Sequence, residues 1–179
     1  MPKILSFSSF GSGTGKDTAV DYVCERYGFI RFAWASILRQ VVAKNFPDAP
    51  GHYRDGSLVY VAPDKNWEDA SGFTQALIDY HDHEGVTERG KDVLKKLSQQ
   101  DPDIVVLATR LVSQFNALRE LDATMVLIRG VHRRGVRELD ECLLHHKFDV
   151  KVDNDGTVED FHKKLDEIVV KRSCSDLQL

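Results

Sequence analysis

Apolar positions follow two patterns that alternate along most of the chain. Apolar runs at 4–7, 29–33, 104–107 and 125–128 predict four strands, and 148–152 is predicted as the last strand. The run 104–107 is continuously apolar, as expected of a parallel strand that is buried on both faces. Elsewhere apolar residues recur every three or four positions, which predicts helices over 18–27, 34–46, 74–83, 87–100, 111–121 and 157–170, and one that ends near 145. The alternation predicts a three-layer α/β fold, in which helices flank a parallel sheet of about five strands.

Local signals set the ends of two predicted helices. Gly28 is expected to end the first helix, because glycine readily adopts the left-handed conformation of a helix C-terminus. Asp153-Asn154-Asp155-Gly156 predicts a turn, and Thr157 is expected to cap the last helix.

The segment from about 48 to 90 interrupts the alternation. Pro47 and Pro50 end the helix before it, and Leu58-Val59-Tyr60-Val61 predicts one short strand. A length of 179 residues fits one domain. We therefore predict a single domain over 1–179 that carries an insertion at about 48–90.

A glycine-rich turn follows the first predicted strand and leads directly into the first predicted helix. Its sequence is Phe10-Gly11-Ser12-Gly13-Thr14-Gly15-Lys16-Asp17-Thr18. Glycines let several backbone N–H groups approach one anion, a helix N-terminus adds partial positive charge, and a lysine ammonium bridges the outer phosphates. The turn therefore predicts a polyphosphate site over residues 11–18.

The turn departs at two places from the strict phosphate-loop pattern, which is Gly, four residues, Gly, Lys and then Ser or Thr. Phe10 occupies the position of the first glycine. Asp17 occupies the position of the hydroxyl that binds magnesium, and Thr18 comes one position later.

Charge and composition argue against several classes of protein. A net charge of −4 does not suit a protein that coats nucleic acid through bulk charge. No apolar stretch is long enough to span a bilayer, and Met1-Pro2-Lys3 leads directly into a strand. We therefore expect a cytoplasmic protein with no membrane partner. The three cysteines are widely spaced and form no metal-binding motif, so we expect ordinary thiols.

The Gly-Lys-Asp-Thr ending of the turn resembles nucleoside monophosphate kinases, and in particular the deoxynucleoside monophosphate kinases of bacteriophages. The closing segment 147–157 and the helix after it are similar to those enzymes and to relatives of dephospho-coenzyme A kinase. The resemblance implies the three-layer P-loop NTPase fold, ATP and Mg²⁺ as cofactors, and a small-molecule nucleotide as substrate. It also implies the host cytoplasm as location if the protein is viral, and a homodimer as one assembly, because these kinases are often dimers.

The resemblance also implies roles for single residues. Lys16 would neutralise the transferred phosphoryl group, while Thr18 and Asp17 would manage the nucleotide phosphates and the magnesium ion. Asn154 and Gly156 lie in a turn that the related kinases place near the adenine.

Arg110 follows the predicted strand 104–107, which in the related kinases commonly ends in Asp-x-Arg. Its guanidinium would either clamp the acceptor phosphate or form a surface ion pair. Ala108 stands at the aspartate position, so either another acid replaces that carboxylate, with Asp17 as the candidate, or the catalytic power is reduced.

Two more segments resemble parts of those kinases. A basic segment at about 129–141 lies where a lid is expected, although a solvated helix start would look the same. Its candidates are Arg133 and Arg137 for catalysis and Arg134 for substrate binding. The segment 34–39 is similar to one that lines the acceptor site in the family, and its candidates are Ser36 and Arg39.

These features favour an ATP-dependent kinase that converts a (deoxy)nucleoside monophosphate to the diphosphate. Two alternatives keep the fold and change the acceptor: a kinase acting on a hydroxymethylated base in phage DNA, and an enzyme like dephospho-coenzyme A kinase. An alternative of a different class is a non-catalytic nucleotide-binding module, in which Phe10 and Ala108 mark lost chemistry.

Overall fold

Seven strands and four helices follow one another in the part of the chain that the computed structural model describes, residues 4–10, 13–34, 36–37, 52–54, 57–59, 85–100, 102–107, 109, 111–130 and 145–175. The strands are β1 (Ile4–Ser8), β2 (Ile30–Ala33), β3 (His52–Arg54), β4 (Ser57–Val59), β5 (Ile104–Leu107), β6 (Thr124–Gly130) and β7 (Val150–Asn154). The helices are α1 (Lys16–Tyr27), α2 (Val86–Ser98), α3 (Val112–Glu120) and α4 (Val158–Ser175). Among these described helices, none is both long and apolar enough to cross a membrane.

Five of the strands form one sheet in the order β2-β5-β1-β6-β7. The central strand β1 pairs in parallel with β5 and β6, and β6 pairs in parallel with β7. Among the described residues, α1 follows β1 and α3 lies between β5 and β6, so helices connect strands of this sheet as in other α/β proteins. The predicted α/β fold with a parallel five-stranded sheet is confirmed.

Side chains of β1 alternate between two different surroundings, because successive residues of a strand point to opposite faces. Leu5 and Phe7 belong to a buried apolar cluster that α1 and α4 share with the sheet. Ser6 and Ser8 point to the other face and are also buried. The face with Leu5 and Phe7 packs against α1. The face with Ser6 and Ser8 places two hydroxyl groups in the core near the end of β1.

One carboxylate fastens α1 to α4. The hydroxyls of Tyr22 and Tyr27 each donate to Asp166 Oδ1 at 2.7 Å, and Arg26 Nε lies 3.3 Å from the same oxygen. Burial raises the pKa of Asp166, but the tyrosine hydrogen bonds and the Arg26 charge outweigh it and leave that pKa below its ordinary value. The helix that begins at Lys16 is thus fixed by polar contacts as well as by its apolar face.

Both predicted helix ends are confirmed by hydrogen bonds. Gly28 has φ of 72° and donates its N–H to the Cys24 carbonyl at 3.0 Å, which ends α1. Thr157 Oγ1 accepts from the Asp160 N–H at 3.1 Å, and Asp160 Oδ2 accepts from the Thr157 hydroxyl at 2.9 Å. The first of these bonds satisfies a backbone donor at the start of α4, and the second holds the Thr157 hydroxyl in place.

The last two predicted strands needed correction at their ends. β6 continues through Gly130, and β7 begins at Val150 and includes Asp153 and Asn154, which had been predicted as part of a turn. Pairing between the two strands decides these bounds, since it runs from Val126 opposite Val150 to Gly130 opposite Asn154. Asp149 lies before β7, where its carboxylate accepts from the Met125 N–H at 2.8 Å and from Arg119.

The chain divides into two compact units, one formed by Met1–Phe32 with Lys95–Leu179 and the other by Ala33–Leu94. In the second unit, β3 and β4 form an antiparallel hairpin with His52 opposite Val59. The predicted strand 58–61 overlaps β4, whereas β3 was not predicted. The predicted helix 74–83 lies outside the described residues, and of the predicted helix 34–46 the structure describes positions 34, 36 and 37, all helical.

Candidate phosphate-binding site

The glycine-rich turn joins β1 to α1 as the sequence predicts. Gly13 and Gly15 have φ of 80° and 94°, in the left-handed region that only glycine adopts without strain. The Gly15 carbonyl accepts the Ala19 N–H at 2.9 Å, so the first turn of α1 begins directly after the loop. At a helix N-terminus the first backbone N–H groups point out of the helix, and an anion can accept hydrogen bonds from them.

Lys16 is the first residue of α1 and points back toward β1. Its Nζ donates to Ser9 Oγ at 3.2 Å, and Ser9 lies just past the end of β1 and is buried. The ammonium group is therefore held at the mouth of the loop, where the outer phosphates of a polyphosphate would lie. The position of Lys16 agrees with its predicted role, and that role stays a prediction.

Phe10 has a packing role that explains why it replaces the first glycine. Its ring meets the ring of Phe148 edge-on, with centroids 6.2 Å apart and planes at 85°. Phe148 in turn meets Phe115 of α3 at 5.5 Å and 82°. These edge-to-face contacts suit aromatic rings and connect the start of the loop to the core on the α3 side.

Asn154, the last residue of β7, contacts the loop from the side of the sheet. Its side-chain Nδ2 donates to the Thr14 carbonyl at 2.9 Å. Gly15 lies so close that a Cβ built there would come within 2.3 Å of Asn154 Nδ2. Gly130 of β6 is also crowded, because a Cβ built there would lie 2.9 Å from the Thr14 oxygen. The ends of two strands thus meet the phosphate loop so closely that neither Gly15 nor Gly130 can carry a side chain without a shift of its neighbours.

Lys164 of α4 contacts the turn that follows β7. Lys164 Nζ donates to the Asp153 carbonyl at 2.6 Å and lies 3.1 Å from Asp155 Oδ1. The Lys164 hydrogen bond lowers the pKa of the Asp155 carboxyl below its ordinary value. Arg129 of β6 also reaches Asp153 with two contacts of 2.7 Å. These contacts fix the segment that contains Asn154 and Gly156, and the predicted adenine contact of both residues stays a prediction.

Asp17 and Thr18, the predicted magnesium ligands, are exposed on the first turn of α1. Asp17 Oδ1 lies 3.6 Å from Arg31 of β2, and Arg31 also contacts Asp21 Oδ1 at 2.7 Å. In the described part of the chain, no group of three or more acidic, histidine or cysteine side chains is arranged to hold a metal. One carboxylate and one hydroxyl still fit Mg²⁺, which usually keeps several waters and binds substrate phosphates.

Hydroxyl groups beneath the loop form a buried network that the sequence interpretation missed. Ser6 Oγ and Thr109 Oγ1 lie 2.8 Å apart, and Ser8 Oγ donates to the Thr109 carbonyl at 3.2 Å. All three residues are at most 2% exposed. The signal was present, because polar residues at two alternate positions of an apolar strand predict a shared partner. The network fixes the chain at the end of β5, directly before Arg110.

We expect Thr109→Val to lower the free energy of unfolding by about 1–3 kcal/mol, because the buried Ser6 hydroxyl loses its partner. Urea unfolding of the variant measures this loss. The double variant Ser6→Ala with Thr109→Val should recover most of the stability, since both polar partners are then gone. Additive losses in the double variant would show that the two hydroxyls do not stabilise each other.

Several predicted site residues lie outside the described residues: Gly11, Ser12, Arg39, Arg110, Arg133, Arg134 and Arg137. Ala108 lies outside them as well. Ser36 is described, and it is an exposed helical residue of the second unit. The structure therefore brings together Gly13–Thr18 and Asn154 of the predicted set, and it adds Ser9, Gly130 and Thr109.

Solved kinase structures share this fold over nearly the whole chain. The dephospho-CoA kinase of Campylobacter jejuni is similar with a TM-score of 0.64 at 12% identity, covering 98% of this chain and 100% of that chain. The shikimate kinase of Aquifex aeolicus is similar with a TM-score of 0.50 at 16% identity, covering 98% and 99%. The sequence matches no protein-family profile and no curated protein. The likeness shows that this chain has the three-layer fold of the P-loop kinases.

Proposed function

We propose that this protein is an ATP- and Mg²⁺-dependent kinase that transfers the γ-phosphoryl group to the phosphate of a (deoxy)nucleoside monophosphate. The proposal rests on one observation: Lys16 begins a helix directly after a left-handed glycine, and its ammonium is held at Ser9 on the strand that enters the loop. This combination of backbone donors, helix N-terminus and lysine suits the phosphates of a nucleoside triphosphate.

The transfer forms a bond between an acceptor phosphate oxygen and the γ-phosphorus, and it breaks the bond from that phosphorus to the bridging oxygen of ADP. Charge spreads over the equatorial oxygens of the transferred group, so positive groups held in place lower the barrier. Lys16 supplies one such charge. Mg²⁺, held by Asp17 and Thr18, would neutralise the β- and γ-phosphate oxygens, as it does in other phosphoryl-transfer enzymes.

Dephospho-coenzyme A is a second candidate acceptor. It is favoured by the likeness to the Campylobacter jejuni dephospho-CoA kinase, which covers both chains almost completely. In that case the γ-phosphoryl group goes to a hydroxyl and not to a phosphate. The loop and Lys16 would perform the same task, because the donor nucleotide is the same.

The acceptor can be identified by incubating the purified protein with Mg²⁺, γ-labelled ATP and separate acceptors. We expect a labelled diphosphate from at least one ribo- or deoxyribonucleoside monophosphate. Label in coenzyme A alone would establish the second candidate, and label in hydroxymethylated DNA alone would establish a DNA-base kinase. Tight ATP binding without transfer to any acceptor would contradict the enzyme proposal and favour a nucleotide-binding module.

A further inference from the structure

The amide of Asn154 determines the orientation of one peptide plane in the phosphate loop. Asn154 Nδ2 donates to the Thr14 carbonyl, which can only accept, so the contact requires the nitrogen of the amide. The Thr14 carbonyl and the Gly15 N–H belong to the same planar trans peptide, and they therefore point in opposite directions. When the carbonyl is fixed toward β7, the Gly15 N–H must point away from the sheet end.

This peptide plane needs an external contact because its own residue does not fix it. Gly15 has no Cβ and lies at φ of 94°, where rotation of the preceding peptide meets little steric resistance. Asn154 and Gly130 lie against this peptide from the sheet side, since a Cβ added at Gly15 would come within 2.3 Å of Asn154 Nδ2 and one added at Gly130 within 2.9 Å of the Thr14 oxygen. Asn154 and Gly130 are themselves opposite each other in the β6–β7 ladder.

We infer that Asn154 is a positioning residue for anion binding: by holding the Thr14 carbonyl, it aims the Gly15 N–H into the loop at the bound polyphosphate. The inference rests on the proposed function only in taking a polyphosphate as the ligand. In this role Asn154 acts through the loop backbone and does not contact a nucleotide base. If Asn154 positions the backbone, its loss weakens binding of a ligand that has no base. If Asn154 contacts the base, its loss leaves the binding of such a ligand unchanged.

The test is the affinity of wild-type and Asn154→Leu protein for ATP and for inorganic tripolyphosphate, measured by calorimetry. Leucine has nearly the shape of asparagine, carries no charge and cannot donate, so the Thr14 carbonyl loses its partner. We expect the dissociation constants of both ligands to rise by the same factor, about tenfold or more. A rise for ATP with none for tripolyphosphate would overturn the inference in favour of a base contact.

Asn116→Leu is the matched control, because it makes the same substitution at an exposed position of α3. We expect its tripolyphosphate affinity to stay within about twofold of the wild-type value. A loss equal to that of Asn154→Leu would mean that the loss is not specific to the amide that contacts the loop, which would overturn the inference. Thermal unfolding of both variants shows whether each is folded at the temperature of the titration.

The peptide plane can also be observed directly. Thr14-Gly15 is the only Thr-Gly pair in the sequence, so ¹³C-carbonyl threonine with ¹⁵N-glycine labels one peptide and gives one correlated NMR signal. Tripolyphosphate should shift that signal in the wild type and leave it nearly unmoved in Asn154→Leu. Equal shifts in both proteins would contradict the inference.

Wild-type binding without turnover would refute only the proposed kinase function. Failure of the wild type to bind either ATP or tripolyphosphate would refute both the kinase function and the inference about Asn154.

Discussion

Lys16→Ala is expected to lower kcat for phosphoryl transfer by about 10³-fold or more, equivalent to about 4 kcal/mol of transition-state stabilisation. The Lys16 ammonium donates to Ser9 Oγ at the mouth of the loop, where its charge would lie next to the transferred phosphoryl group. The measurement is a steady-state assay with the acceptor identified above, at saturating ATP. Circular dichroism and thermal unfolding should match the wild type, because a lysine at a helix start contributes little to the core.

Lys163→Ala provides the matched control for Lys16. Lys163 is also a helical lysine, but its side chain is 77% exposed and its contact with Asp160 is a weak one at 4.0 Å. We expect its kcat to remain within about twofold of the wild-type value, because surface pairs of this kind contribute little. If Lys16→Ala retained wild-type turnover, Lys16 would not be the group that neutralises the transferred phosphoryl.

Gly15→Ala is expected to weaken ATP binding by about 100-fold, equivalent to about 2.7 kcal/mol, because overpacking a close contact costs a free energy of that order. The new methyl group would lie 2.3 Å from Asn154 Nδ2 and would also require an alanine at φ of 94°. Either the Asn154 amide or the loop must move, and in both cases the hydrogen bond from Asn154 Nδ2 to the Thr14 carbonyl is lost. Equilibrium titration with ATP measures the effect.

Gly28→Ala tests whether the loss of ATP binding in Gly15→Ala comes from backbone strain at positive φ or from crowding against Asn154. Gly28 has φ of 72°, yet nothing lies within 4 Å of a Cβ built there. We expect Gly28→Ala to lower the free energy of unfolding by about 1–2 kcal/mol through backbone strain and to leave ATP affinity unchanged. Equal loss of ATP binding in both variants would show that strain anywhere in α1 disturbs the site, and that crowding at Asn154 is not the cause.

The sheet was predictable because its signals are local. Strands such as Ile104–Leu107 are continuous apolar runs, and their burial on both faces follows from helices on both sides. Gly28 and Thr157 set helix ends through contacts within four residues, so their sequence signals were sufficient. The predicted ends of β6 and β7 were wrong because strand pairing, and not local composition, determines how far each strand extends.

The phosphate loop itself was predicted, but its supports were not. Asn154 reaches Thr14 across 140 positions of sequence, and Gly130 meets Thr14 only because β6 lies beside β1. Phe10 departs from the phosphate-loop pattern, and its ring packs edge-on against Phe148. A sequence motif does not contain that contact, so the packing role of Phe10 could not be predicted from the motif. Contacts between distant segments follow from the topology of the sheet, which a linear pattern does not contain.

Under the role inferred for Asn154, the pairing of Gly130 with Asn154 also sets when the loop becomes able to bind a polyphosphate. Thr14 leaves the ribosome 140 residues before Asn154, and the amide would orient the Thr14–Gly15 backbone only after β7 has joined the sheet in register. A slip of one residue would replace that amide with the carboxylate of Asp153 or Asp155, which cannot donate when ionised. Nucleotide affinity would then report on completed folding at this edge of the sheet, and a chain with an undocked or misregistered β7 would have the loop sequence but bind polyphosphate weakly.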